Sequence, residues 1–190
     1  EHGGSIPFGW SQIKESGSAN WIYKDGGLYD EGVSHPEHAY EGSYNALFAY
    51  SSSYTTKLIT PPINLENALK PALIFWHAMQ EWAGDVDELR IYYREHVDSV
   101  WILLEEYTTE VYNWTQHIIY LPDTLLSPTA YIAFEGKSAW GAGICIDNVS
   151  VVEHGIVPKS LENIYIKSVP TNFIPTSSKN NLILRVDLEV

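Results

Sequence analysis

An all-β sandwich is the fold class this sequence predicts, and three observations predict it. Helical periodicity is almost absent. Short runs rich in Val, Ile, Tyr, Phe, Trp and Thr recur between turn signals, the pattern of a sandwich or barrel. Leu89, Ile91 and Tyr93 alternate with Arg90, Tyr92 and Arg94, which gives a strand one buried and one wetter face.

In chain order, strands are expected over residues 9–13, 21–24, 44–50 and 56–60, each an aromatic or β-branched run. Pro61-Pro62 ends the last of these, and Pro71 starts the next, where proline's missing donor does no harm. The strand over 72–79 opens with Ala72-Leu73-Ile74-Phe75-Trp76, apolar throughout, which suits a central strand covered on both faces. Further strands follow over 88–94, 100–107, 115–121, 130–135 and 143–152, and the one candidate helical turn is 65–69. After Val152 a stretch with Gly155 and Pro158 reads as a linker over 154–162. Two strand-like runs beyond it, 163–169 and 181–190, read as the start of a second β-module, incomplete because two strands alone leave apolar faces bare. The first domain is thus expected over 1–153 and the second over 163–190, in a fragment of a longer chain.

Composition narrows the function. Eleven Lys plus Arg against 24 Asp plus Glu give a net charge of −13, which repels phosphate backbones and anionic lipid. No run approaches the roughly 18 apolar residues of a membrane span, and no signal peptide is visible in this fragment. Cys145 is the only cysteine, so no internal disulfide and no multi-cysteine zinc site forms. It sits in an apolar run where a thiol is inert, no G-x-S-x-G elbow exists, and Gly136-Lys137-Ser138 lacks the glycine of a P-loop.

Short blocks spaced along the first 152 residues carry a family likeness. They run from Pro7-Phe8-Gly9-Trp10 through His35-Pro36-Glu37-His38 and Gly42-Ser43-Tyr44-Asn45-Ala46-Leu47-Phe48 to Leu58-Ile59-Thr60-Pro61-Pro62-Ile63. Phe75-Trp76-His77, Gly84-Asp85-Val86-Asp87-Glu88-Leu89, Tyr131-Ile132-Ala133-Phe134-Glu135 and Ile146-Asp147-Asn148-Val149-Ser150-Val151 complete the order. The set resembles the MAM-like modules of secreted bacterial proteins, the choice-of-anchor J and cleaved-adhesin group. The tail resembles the start of an immunoglobulin-like repeat. The resemblance implies a jelly-roll, galactose-binding-like sandwich, non-catalytic, secreted or on the cell surface, and adhering to glycans or extracellular proteins beside neighbouring domains of its parent chain. It also implies structural calcium, with Glu1 and Asp147 in the matching acidic positions.

Calcium takes roughly six to eight oxygens, and Glu41, Asn148 and loop carbonyls near residues 30–35 would add to Glu1 and Asp147. The alternative for Asp147 is a carboxylate that only accepts from turn amides. Gly84-Asp85-Val86-Asp87-Glu88 opens like an EF-hand loop, but Arg90 and His96 occupy positions that such a loop reserves, so a hairpin turn fits better. His35-Pro36-Glu37-His38 lacks the helical spacing of a zinc motif and reads as a hydrogen-bonded loop.

The aromatic surplus favours recognition. Thirteen Tyr and seven Trp supply flat apolar faces with polar edges, which stack on sugar rings. Trp82 and Trp140 sit in glycine-containing loops and are the candidate ligand platforms, with His77, Asp85 and Asp87 as further candidate contacts; for His77, mid-strand beside Trp76, the default reading is a satisfied buried or half-buried histidine. Trp10, Trp21, Trp76, Trp101 and Trp114 are expected in the core or on a sheet face. Two rival readings remain open. A passive spacer predicts loop tryptophans folded away from solvent, and a glycoside hydrolase predicts a cleft with two carboxylates about 5–10 Å apart.

Overall fold

The computed structural model describes residues 4–30, 33–50 and 52–153; the linker and second module expected over 154–190 lie outside the described residues, as does Glu1. The strands are β1 (Ser11–Ser16), β2 (Ile22–Lys24), β3 (Leu28–Asp30), β4 (Val33–His35), β5 (Asn45–Phe48) and β6 (Thr55–Ile59). They continue with β7 (Pro71–Met79), β8 (Glu88–Arg94), β9 (Ile102–Tyr107), β10 (Val111–Tyr120), β11 (Tyr131–Lys137) and β12 (Ile144–Glu153). Every strand expected over residues 9–152 has its counterpart. The β3–β4 hairpin was not expected, and β10 begins earlier than its sequence suggests. There is no helix among the described residues; 65–69 is one turn, in which Asn64 Oδ1 accepts from the Glu66 amide at 3.0 Å.

Two five-stranded antiparallel sheets face each other, one ordered β1-β6-β11-β8-β9 and the other β10-β7-β12-β5-β2. The chain crosses repeatedly between them, as in a jelly roll. Alternation along each strand fills the space between. Leu58, Leu89, Ile91, Ile132 and Phe134 come from the first sheet and Phe48, Leu73, Phe75, Ile144 and Ile146 from the second. Burying side chains of this size contributes about 1.5–3 kcal/mol each. Trp21 lies in this core with its Nε1 donating to the Thr56 carbonyl at 3.0 Å, so its one polar atom is satisfied. Gly136 is the small residue that makes room, since a Cβ there would stand 2.7 Å from the Phe48 ring and 2.9 Å from Trp21.

Each outer face has its own chemistry. On the first sheet, Lys57, Glu135, Arg90 and Glu106 are direct register partners across β6, β11, β8 and β9. They alternate in sign and are joined by ion pairs, with Glu15 closing the row 2.8 Å from Lys57 and Lys137–Glu88 forming a second row at 2.7 Å. Opposite charges directly across strands stabilise pairing. On the second sheet, Leu47, Ala78 and Cys145 form a small cluster of their own with Trp114. The loop after β4 covers it: Tyr40 stacks on Trp76 with centroids 3.7 Å apart, and Trp114 Nε1 donates to the His38 carbonyl at 2.9 Å. Burial pushes the Cys145 thiol far above its ordinary range, as an inert structural cysteine requires.

Candidate functional site

The ends of β5, β7, β10 and β12 meet in one row: Met79 lies opposite both Val111 and Ile144, and Ile144 opposite Phe48. Trp82 follows Met79 by one short loop, Tyr112 follows Val111, and Trp140 precedes Ile144, so the topology brings three aromatics to one end of the sandwich. All three are exposed, Trp82 by 42%, Trp140 by 56% and Tyr112 by 59%.

The backbone holds these loops in conformations that their residues resist. Trp82 and Asp85 exchange both backbone hydrogen bonds at 2.9 Å, and the two residues between them, Ala83 and Gly84, have φ of 52° and 92°. Two positive φ values in a two-residue loop match the twist of flanking strands, a geometry that Asn-Gly makes most readily. Trp140 has a φ of 72°, which costs an L-residue with a bulky side chain about 1–2 kcal/mol.

Asp87 supplies the restraint. Wholly buried, its Oδ1 accepts from the amides of Ala139 at 2.6 Å and Gly141 at 3.1 Å, and its Oδ2 from Gly143 at 2.9 Å. Burial pushes the Asp87 carboxyl above the ordinary aspartate range, while the three amides pull it back. Gln80 makes the second tie. Its carbonyl accepts from the Ala142 amide at 3.0 Å, and its side-chain Nε2 donates to the Tyr112 carbonyl at 2.7 Å. Beside it a cleft of about 390 Å³ runs between the 34–39 loop and β10, lined by Glu37, His38, Gln80, Tyr112 and Trp114 among others. His38 is held there by Asp25, Nδ1 to Oδ2 at 3.0 Å, and that hydrogen bond raises the His38 pKa.

In fold, this chain is similar to two kinds of solved module. Against the K1 cleaved adhesin domain of Lys-gingipain from Porphyromonas gingivalis W83, the TM-score is 0.60 at 20% identity, covering 79% of this chain and 94% of that one. The K3 domain of the same protein gives 0.55 at 20% identity, covering 77% and 92%. TmCBM61, solved in complex with β-1,4-galactotriose, gives 0.54 at 15% identity, covering 79% and 91%. At these identities the likeness shows a shared β-sandwich. No family model and no curated protein matches the chain.

The residues anticipated from sequence divide three ways. Trp82, Trp140 and Asp85 lie on the exposed loops as anticipated. Asp87 and His77 require correction as ligand contacts, because neither side chain reaches solvent. Asp87 acts through the amides it holds. His77 is 0% exposed between the sheets, its Nδ1 3.1 Å from His117 Nε2 and its own Nε2 without a hydrogen-bond partner. Burial lowers the His77 pKa to about 3, with His117 adding to the effect, and burial lowers His117 too.

The third group is the calcium set. Glu41, Asp147 and Asn148 do come together, at the bulge of β12 where Asn148 has a φ of 49°. Three hydrogen bonds run within the group. Asp147 Oδ2 accepts from the Glu41 amide at 3.0 Å and its Oδ1 from the Asn148 amide at 2.7 Å. Asn148 Nδ2 donates to Glu41 Oε2 at 2.9 Å. No group of three or more metal-ligating side chains occurs among the described residues, so these residues do not by themselves make the roughly six-oxygen shell of calcium.

Tyr112 and Gln80 were missed. Tyr112 lies just before the strand expected over 115–121; extending that strand back to 111 would have placed the tyrosine on the row of the two tryptophans.

Proposed function

We propose that this module recognises a neutral glycan, without catalysis, at the sandwich end that carries Trp82, Tyr112 and Trp140. The observation that carries the reading is Trp140, an indole more than half exposed on a backbone at φ 72° that a buried carboxylate holds in place. Strain kept by a well-packed frame is a mark of a functional site, and an exposed indole offers a sugar ring its apolar face. The cleft beside Tyr112 adds hydrogen-bonding groups within reach of hydroxyls, and its size lies in the range of ligand sites. The fold shared with TmCBM61, which was solved with a galactotriose, supports a glycan as the ligand class. A net charge of −13 favours a neutral chain over a polyanion.

We propose that the module works on the cell surface or outside the cell, within a longer protein of the cleaved-adhesin and MAM-like type. The passive spacer is disfavoured, since it needs the two loop indoles folded away and both are exposed. For Asp147 we propose the role of a backbone anchor that needs no resident ion.

A tryptophan-fluorescence titration against a panel of neutral polysaccharides tests the reading. Saturable quenching that disappears in Trp140→Ala and weakens in Trp82→Ala is expected. A flat response across the panel, with the fold intact, would overturn it.

A further inference from the structure

Arg94, the last residue of β8, is the one described arginine that the ion-pair rows leave out. Arg90, on the same strand and the same face, meets Glu88, Glu106 and Glu135. No carboxylate lies within ion-pair distance of Arg94 among the described residues, in a chain with 24 acidic side chains. Its guanidinium is instead held 4.3 Å from the Trp101 ring centroid and 4.9 Å from that of Tyr131, its register partner on β11. Its Nε is buried and has no hydrogen-bond partner.

These contacts define what the side chain is free to do. Aromatic faces attract the flat side of a guanidinium and leave the N–H groups at its edge unspent. Two rings fix the orientation of a long, otherwise mobile chain, so the entropy of ordering it is already spent when a ligand arrives. A planar fork of donors fits a carboxylate through two parallel hydrogen bonds. Beyond Arg94 the same sheet face continues as the half-buried Tyr92 and Arg90, hydroxyl and charged groups suited to a polyhydroxylated chain rather than to apolar side chains.

We propose that Arg94, Trp101 and Tyr131 form a second ligand site, which takes the carboxylate of a single acidic sugar on an otherwise neutral glycan. The assignment to a sugar rests on the glycan reading above; the assignment to a carboxylate does not. A single acid is specified because the protein's own negative field opposes a run of them. The site is separate from the aromatic end. Glu88 and Arg94 are the two ends of β8, about 20 Å apart at roughly 3.3 Å per residue, and Asp87 with its tethered loop lies beyond Glu88.

The test is a titration of the 15N-labelled protein with methyl β-D-glucuronide and, in parallel, methyl β-D-glucoside, following the Nε–H resonances of arginine. A saturable shift of the Arg94 signal with the glucuronide alone is expected, together with at least a tenfold loss of affinity in Arg94→Lys, which keeps the charge and loses the fork. The amide spectrum of that variant reports whether its fold is intact, and Trp101→Phe, with a weaker ring under the guanidinium, should weaken binding by a few fold. No shift with the glucuronide, or unchanged binding in Arg94→Lys, overturns the site. Equal binding of N-acetyl-glutamate amide overturns the assignment to a sugar. If the glucuronide is silent while neutral polysaccharides still quench tryptophan, this site falls and the aromatic end stands; the reverse result separates them the other way.

Discussion

Asp87 accepts hydrogen bonds from the amides on either side of Trp140, those of Ala139 and Gly141, so the carboxylate of one residue sets the backbone of the other without occupying the surface it shapes. The division of labour has physical sense. A carboxylate engaged by amides is a fixed object, and an indole on a fixed backbone presents a ready-made face.

Trp140 should therefore be dispensable for stability and necessary for binding. Glycine accepts a φ of 72° without strain, so Trp140→Gly should fold within about 1 kcal/mol of the parent, whereas deleting a packed tryptophan costs about 3–5 kcal/mol. Urea unfolding together with the polysaccharide titration measures both. A loss above 3 kcal/mol would mean that the indole packs as a structural plug.

Asp87→Asn should do the reverse and damage the frame. One carboxylate oxygen becomes an NH₂ that faces an N–H, and charge-assisted bonds of this kind are worth roughly 1.5–3 kcal/mol each. A loss of roughly 3 kcal/mol is expected, with glycan binding weakened alongside it through the displaced loop. Binding unchanged in a folded variant would show that the tether does not position Trp140.

Ala83→Asn should stabilise the protein. Asparagine tolerates a positive φ better than alanine, and Asn-Gly is the preferred pair for a hairpin whose two central residues both need one. A gain of about 0.5–1 kcal/mol corresponds to a few degrees in Tm for a domain of this size. A lower Tm would contradict the geometry of the loop.

The His77–His117 pair makes the fold sensitive to acid. Its folded pKa values are lowered, so below about pH 6.5 the unfolded chain binds protons that the native state excludes. The stabilisation is complete above the unfolded pKa and is lost as pH falls through the window from about 6.5 towards the folded value of about 3. For the wholly buried His77 this amounts to roughly 2 kcal/mol between pH 7 and pH 5. The stability difference between the parent and His77→Phe should shift by that amount over this range; a pH-independent difference would show that His77 takes up its proton in the fold as readily as in the unfolded chain.

At Asp147, thermal melts in calcium and in EDTA should coincide within about one degree if the carboxylate serves only the amides of Glu41 and Asn148. Asp147→Ala should cost about 2 kcal/mol in both buffers. A calcium-dependent rise of several degrees would establish an ion at this corner.

The strands of both large sheets were legible because their burial is local and alternating, as along Leu89–Tyr93. The β3–β4 hairpin was not. Its strands are three residues long, too short for an alternating pattern to show, and the Gly27 amide on the Pro36 carbonyl at 2.8 Å closes its open end. At the site, Trp82 and Trp140 stood out because glycines flank them. Asp87 did not, because an acidic residue in a run of acids looks solvated until the amides of a segment more than fifty positions later are seen to close on it.

The alternating charges on the first sheet also limit how its strands can be misaligned. Strand pairing has a period of two, so the slip that conserves the buried face is a shift by two residues. Such a shift between β6 and β11 sets Lys57 opposite Lys137 in one direction and opposite Ala133 in the other. Between β8 and β11 it sets Glu135 opposite Glu88 or opposite Tyr92. Every near miss either pairs like with like or strands a charge that is almost wholly covered. The row of charges thus works as a parity check on strand alignment, rejecting the errors that hydrophobic patterning alone would let pass.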